Sequence, residues 1–572
     1  MRLEPYLEQL AAKAIADSLG EAAPALLRPA DPAHGDYQIN GALPLAKRLG
    51  KNPRELAAPL AEALAAAPCI EAAEVAGPGF VNLRLSPIWI ARELNAIAVD
   101  RERDGVPAVD QPKKTVVDYS APNVAKPMHV GHIRSTVIGA ALCRVLRYVG
   151  HEVIADNHIG DWGTQFGKVL IGVRRFGDPE ALEARPIDEL ERCYKLAHAL
   201  SEKDPAVADE ARAELAKLQQ GDPENLAMWR KLVATTRAEL DRIYDRLDVE
   251  FDMWRGESAY EPMLPAVVER LLAEGIARED EGAVCVFFDD HPKLKKSKTP
   301  FIVRKRDGAF LYSTTDIATV LWRRDELGAE RALYVVDKRQ ALHFEQLFAT
   351  VERLGVAMEL QHVSFGTILG ANGKPLKTRE GDLIRLSDLL DEAQQRAGAL
   401  MQAELEVREE DLEELAPIVG IGAIKYADLS QNRNSDYRFD WDKLISFKGN
   451  ASPYLQYAHA RIASIFRKGE VDPDALDPNS KLELTEAAEL ALAKHLMRFA
   501  DAVHQAAESA LPHLIADHLY ALARAFSVFF ESCPVLRSEG TTRSSRLLLC
   551  WLTARQLRRG LGLLGIEAPE RM

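Results

Sequence analysis

The sequence predicts an α/β core built on a parallel sheet, with an α+β module before it and an all-α region after it. Three observations carry this. Residues 115–119 are a β-branched apolar run, a buried strand; Val137, Ile138, Ala141, Leu142, Val145 and Leu146 then recur at helical spacing, Gly150 ends the helix, and 153–155 form a second apolar run. Strand, loop, helix, strand is the unit of a parallel sheet, and function belongs in the loop above the first strand's carboxyl end. Upstream, Phe80, Asn82 and Arg84 alternate with Val81, Leu83 and Leu85, the pattern of a half-buried strand. Downstream of Leu386 the apolar stripes keep a helical period, as in Leu492, Leu496, Phe499 and Val503, or Leu519, Leu522, Phe526 and Phe529.

At 572 residues the chain has the volume for three or four domains. A hydrophobic fraction of 47% and a charged fraction of 28% exclude disordered and fibrous classes. The six cysteines include no C-x-x-C pair, which argues against a zinc ribbon or a disulfide framework and reads as apolar filling in a reducing compartment. No apolar run reaches the roughly 18 residues of a membrane span, and the first twenty residues form an amphipathic helix with acids, unlike a signal peptide. The expected location is cytoplasmic. Net charge is −14, so attraction to RNA has to be local, and basic residues do cluster at 293–298, 304–306 and 543–559.

Taken in order, residues 1–110 form the α+β module: a helix, H-G-D-Y-Q-I-N at 34–40, an Ala/Leu-rich helix and the strand within 77–85. Tyr37, Gln38 and Asn40 are suited to stack on and hydrogen-bond an exposed base. A turn whose tyrosine simply packs is the equal alternative.

The first half of the core, 111–175, carries Asn123, Lys126, His129, Gly131 and His132 in its loop and at the helix N-terminus. Unpaired N–H groups and the helix dipole favour an anion there, and a lysine and two imidazoles add donors that can follow phosphate oxygens through a reaction. The loop is built for a polyphosphate. Gly131 lets a flat base or ribose lie against the backbone, and His129 and His132 share one side of a helical turn.

Residues 176–300 interrupt the core with a helical insertion, striped by Leu226, Leu232, Val233, Leu240, Ile243, Tyr244 and Leu247, before a strand at 283–288. The second half, 301–385, reads as a hairpin (302–306 and 309–313 about Asp307-Gly308), a helix capped by Thr314 or Thr315, a strand at 333–336, a helix striped by Phe344, Leu347, Phe348 and Val351, and a strand near 363–365. The loop G-K-P-L-K-T-R-E-G at 373–381 is basic and bounded by glycine, suited to closing over a polyphosphate. A helical region, 386–470, and a helical domain, 471–572, complete the chain.

H-V-G-H resembles the H-I-G-H motif of class I aminoacyl-tRNA synthetases, and D-Y-S-A-P-N-V-A-K-P-M-H-V-G-H-I-R-S-T together with H-I-G-D-W-G-T-Q-F-G closely resembles the arginyl-tRNA synthetases, a similarity running to the ending G-I-E-A-P-E-R-M. The resemblance implies a Rossmann-type catalytic domain, an N-terminal domain contacting the outer corner of tRNA, a connective insertion facing the acceptor end, and an anticodon-binding bundle. It implies an enzyme that uses ATP and Mg²⁺ to join L-arginine to tRNA(Arg) through an arginyl-adenylate, with tRNA needed for the first step, no zinc, no DNA and no membrane partner, acting as a monomer. Site residues carry over as follows: Asp118 and Asp316 face the substrate guanidinium, Tyr312 and Gln340 flank it, and Asn123 and His129 lie near its α-amino and carboxylate end. His129, Gly131, His132, Lys374, Lys377, Thr378 and Arg379 serve ATP, and His129, His132, Lys126 and Lys377 serve catalysis. Two alignments of the loop on K-M-S-K-S stay open, one placing Thr378 at the second lysine and the other pairing Lys374 with Lys377. A synthetase for another amino acid is disfavoured by Asp118 with Asp316, and an inactive RNA-binding paralogue by the retained histidines. A small nucleotidyltransferase has no use for two flanking RNA-type domains.

Overall fold

The computed structural model describes residues 1–31, 33–163, 165–296, 299–377 and 383–572, which form two compact units, 110–445 and 1–109 together with 446–572.

The first unit is the α/β core. In chain order it uses β1 (Lys114–Asp118), α1 (Val130–Tyr148), β2 (Glu152–Asn157), α2 (Pro186–Lys203), α3 (Pro223–Arg246), β3 (Met253–Trp254), α4 (Tyr312–Asp325), β4 (Arg331–Tyr334), α5 (Ala341–Arg353), β5 (Glu359–His362) and α6 (Glu409–Leu429). The sheet runs β5-β4-β1-β2-β3, and every neighbouring pair is parallel. β1 is buried almost throughout, which is why K-T-V-V-D reads as a continuous rather than an alternating run. In register, Asp118 lies between Asp156 of β2 and Tyr334 of β4, so the central strands end on polar side chains at the carboxyl edge. The order reverses at β1, and the loop after it lies at this switch point.

Two cores support that edge. One gathers Val116, Ile317, Val320, Ala332 and Leu347 with Tyr260, Leu264 and Phe301, so the chain from 257 onward packs with the second half of the sheet. The other gathers Val124, Ala125 and Ile159 with Phe166, Leu170, Leu190, Leu218 and Leu232, placing the helical insertion directly under the loop after β1. Arg134 of α1 is locked to Asp428 of α6 at 3.0 Å with both side chains about 1% exposed, which ties the helical stretch after Leu386 to the core. Breaking such a buried pair costs about 3 to 5 kcal/mol.

The expected hairpin between 302–306 and 309–313 is corrected. Phe301–Arg304 pairs antiparallel with Ala283–Val286, and 312 already begins α4. The turn itself exists, with Lys305 N–H donating to the Ala309 carbonyl at 2.9 Å, but only an Arg304–Phe310 bridge follows it. Neither Thr314 nor Thr315 caps the helix: both lie inside α4, whose N-cap is Leu311, and the Ser313 and Thr314 hydroxyls donate instead to the Ile302 and Val303 carbonyls. The strand expected near 363–365 lies earlier, at β5, with Phe365 left in a single bridge to Asp337.

In the second unit a four-stranded antiparallel sheet, in the order Leu27–Pro29, Tyr37–Ile39, Phe80–Leu85, Ile70–Ala76, belongs with C-terminal helices that include Ser452–Lys468, His513–Ser532 and Gly540–Leu563. The basic run at 543–559 is largely consumed internally. Arg546 pairs with buried Glu489 at 2.7 Å, Arg555 and Arg559 with Asp104 at 2.5 and 3.0 Å, and Arg558 with Glu570 at 2.5 Å. It is therefore not the free basic face expected from its composition. All six cysteines are buried and unbridged, and among the described residues no helix is long and apolar enough to cross a membrane.

Candidate active site

Ser120, Ala121 and Ala125 in the loop after β1 hold left-handed backbone (φ 68°, 43° and 62°). Non-glycine residues pay about 1 to 2 kcal/mol each for this. Buried hydroxyls hold the loop against that strain: Ser120 N–H donates to Ser135 Oγ at 2.8 Å, Ser135 Oγ–H donates to the Val335 carbonyl at 2.6 Å, and Ser120 Oγ lies 2.9 Å from Thr136 Oγ1 and 2.7 Å from Tyr244 Oη. The residues of H-I-R-S-T thus brace the loop that precedes them.

His129 caps α1. Its Nδ1 accepts from Gly131 N–H at 3.0 Å, while His132 Nδ1 accepts from His129 N–H at 3.0 Å, and the rings lie 3.9 Å apart. Burial pushes His132 down to about 3; burial and the Lys126 charge lower His129 as well. Both imidazoles are therefore neutral at pH 7 with Nδ1 acting as acceptor, so each carries its proton on Nε2. The loop presents two aligned donors without a permanent charge. A Cβ on Gly131 would come within 2.8 Å of the His129 ring, so the glycine makes room for the histidine.

Lys126 and the segment after the basic loop both meet α2. Lys126 Nζ lies 5.4 Å from the Tyr194 ring centre, and Arg385 pairs with Asp188 and with Glu191, the latter at 3.1 Å. Val130 N–H donates to the Ile384 carbonyl at 2.9 Å and Leu386 N–H to Met128 at 3.0 Å, so the chain leaving the basic loop is stitched to the H-V-G-H segment. Lys374 and Lys377 are exposed on the near side of that loop; Thr378 and Arg379 lie outside the described residues.

The N-termini of α4 and α5 reach the same carboxyl edge, because each helix runs antiparallel to the strands it connects. There Asp316 Oδ2 lies 2.6 Å from His343 Nε2, Tyr312 is 61% exposed with its ring 4.9 Å from His343, and Gln340 is exposed beside them. Asn123 is exposed, with its side chain against Gly160. Asp118 departs from expectation: its Oδ2 is 2.6 Å from Arg323, which also reaches Asp156 at 2.6 Å, and Arg323 has no exposed surface. Burial alone would lower Arg323, but the Asp118 and Asp156 carboxylates hold it well above its ordinary value. The Asp118 carboxylate expected at a substrate guanidinium is engaged here by the chain's own Arg323.

Glu257 was missed by the sequence reading. It follows the two-residue strand β3, and burial, with the Asp316 charge adding to it against His158, pushes it up to about 7. Asp316 is near enough for its charge to act on Glu257, so two carboxyl groups share this part of the edge. A G-E-S turn straight after a strand, at the sheet's carboxyl edge, is the signal that could have found it.

In the second unit Tyr37 is corrected to a packing residue. Strand alternation turns Tyr37 and Ile39 inward, and Tyr37 Oη accepts from Arg498 Nε at 3.1 Å with no ring surface exposed. Gln38 points outward, accepting from Arg28 at 2.9 Å and donating to Asn82 at 2.9 Å, with Asn40 half-buried nearby; Arg28 lies 5.7 Å from the Phe80 ring. The aromatic ring on the outer side is Phe80. Among the C-terminal helices a cavity of about 640 Å³ is lined by Tyr457, Arg461, Arg467, Lys468, Phe530 and Arg537, with the Arg461 guanidinium 4.2 Å from the Phe530 ring centre.

Residues 93–441 match the family model for tRNA synthetases class I (R), catalytic domain, 455–572 that for the DALR anticodon binding domain, and 5–85 that for the arginyl tRNA synthetase N-terminal domain. An arginine–tRNA ligase of Laribacter hongkongensis is 44% identical over 99% of each chain, and one of Hahella chejuensis 43% identical over the whole of both. The solved arginyl-tRNA synthetase of Plasmodium falciparum superposes with a TM-score of 0.84 at 28% identity, covering 99% of each chain. With the donor-bearing loop at the switch point of a parallel sheet and these matches spanning the sequence from end to end, the chain belongs to the class I arginyl-tRNA synthetases.

Proposed function

We propose a division of labour among these residues in the reaction of the family, the ATP-dependent attachment of L-arginine to tRNA through an arginyl-adenylate. The observation that carries it is the open acid pair. Asp316 and Glu257 receive the guanidinium, whose planar fork suits two carboxylates, with Tyr312 and Gln340 alongside. Asn123 and His129 serve the amino acid's polar end. The Nε2–H groups of His129 and His132 stand ready to stabilise charge developing on the phosphates, and because both rings are neutral they cost no proton adjustment before the reaction. Lys126, with Lys374 and Lys377, supplies positive charge; Thr378 and Arg379 keep their expected place at ATP from the sequence alone.

Mg²⁺ fits this scheme as a companion of the triphosphate. It binds through phosphate oxygens and water with one or two carboxylates, and among the described residues no group of three or more His, Cys, Asp or Glu side chains is gathered for a metal. When bound it would offset phosphate charge. Gln38, Asn40, Arg28 and Phe80 offer the N-terminal module a base-contacting face, and the basic, aromatic-lined cavity around Arg461 suits an unstacked anticodon base. A cytoplasmic monomer is the working state we assign. Arginine-dependent pyrophosphate exchange with and without tRNA tests the reading; exchange driven equally by another amino acid contradicts it.

A further inference from the structure

One more acid lies beneath the substrate-facing pair. Asp161, 5% exposed, belongs to the H-I-G-D-W-G segment that follows β2, and its carboxylate meets the turn at 256–258. Ser258 N–H donates to Asp161 Oδ1 at 2.8 Å and the Ser258 hydroxyl to Oδ2 at 2.7 Å. The two segments are stitched further by Glu257 N–H to the Ile159 carbonyl at 3.2 Å and by His158 Nδ1 at 3.1 Å from the Arg255 carbonyl. Asp161 is itself held, because Trp229 Nε1–H of α3 donates to its carbonyl at 2.8 Å.

Gly256 shows how tight the clamp is. Its φ of −75° and ψ of 173° suit any residue, yet a Cβ there would lie 2.4 Å from the Asp161 carboxylate. The glycine is required by approach and not by backbone conformation.

We propose that Asp161 is a positioning residue for arginine recognition, its carboxylate clamping the 256–258 turn so that Glu257 is set toward Asp316. The inference rests on the reading above, that Glu257 and Asp316 receive the guanidinium. A clamp of this kind acts through another side chain, and its loss costs on the order of 10- to 100-fold where a partner orients a ligating group.

The test uses full-length D161A, D161N, G256A, D161A/G256A and E257Q, comparing the KM for arginine and for ATP in tRNA charging with the Tm of each. D161A and G256A should each raise the arginine KM about 10- to 100-fold and leave the ATP KM within about twofold. D161N should lie nearer the parent, because its amide still accepts from Ser258 N–H and can donate to Ser258 Oγ. The double variant should be no worse than either single one, since removing the carboxylate makes room for the new Cβ. Arginine and ATP KM rising together with a falling Tm, or single effects that multiply in the double variant, would overturn the proposal; should D161A fail to fold, D161N and G256A carry the same comparison. An E257Q enzyme with a parental arginine KM removes the guanidinium reading and the clamp with it. E257Q impaired beside parental D161A and G256A removes the clamp alone.

Discussion

Asp118 and Asp156 lie at the carboxyl ends of adjacent strands and share one guanidinium, that of fully buried Arg323, whereas Glu257 and Asp316, at the edge of the same sheet, have the imidazoles of His158 and His343 near them. Both are acid pairs suited to an arginine side chain. On the proposed reading the difference is whose arginine fills them. In the first pair the cation comes with the chain, so the pair is satisfied on folding and holds the ends of β1 and β2 to α4. In the second, burial first and the Asp316 charge after it keep the Glu257 carboxyl raised, which is where an arriving cation gains most.

The contrast breaks most visibly if the filled pair is emptied. R323A leaves two buried carboxylates facing each other, and the expected loss is about 3 to 5 kcal/mol in denaturant stability, with partial unfolding preceding any specific loss of arginine affinity. D316N should do the reverse: an arginine KM raised by the equivalent of about 2 to 5 kcal/mol, an ATP KM little changed and a parental denaturation midpoint. If D118N instead reproduces the D316N profile without loss of stability, the assignment of the two pairs is inverted. K126A separates the phosphate end from both, and single-turnover adenylate formation with tRNA present should fall about 10²- to 10³-fold while arginine binding holds. A rate within about threefold of the parent would place the charge elsewhere.

The smallest expected effect is a pH profile. Glu257 near 7 in the free protein must lose its proton to pair with a guanidinium, so binding releases a proton in the window below 7. Arginine affinity should rise with pH by up to about tenfold per unit until about 7 and then level off. E257Q should flatten that profile, and the ATP KM should not follow it.

These pairs also show what a sequence displays and what it hides. Lys126, His129, Gly131 and His132 were legible because they stand together in one loop whose strand and helix have unmistakable periods. The ion pair of Asp118 was hidden because its partner lies 205 residues away, on a helix whose stripe gives no sign that Arg323 turns inward. Glu257 was missed for a related reason: β3 is two residues long and follows a 24-residue helix, too short to register as a strand, so the turn beyond it was not recognisable as part of the sheet's edge. Tyr37 is a different case, in which two equal readings stood open. Its alternation with Gln38, in step with inward-facing Ile39, decides for the packed ring.

The central claim is that the unfilled pair receives the substrate guanidinium through Glu257. Its most direct test is calorimetry of arginine binding at pH 6 in two buffers of different ionisation enthalpy, run on the parent and on E257Q. With Glu257 near 7, the account predicts release of close to one proton per arginine bound by the parent and none by E257Q. Equal proton release by the two proteins would contradict it.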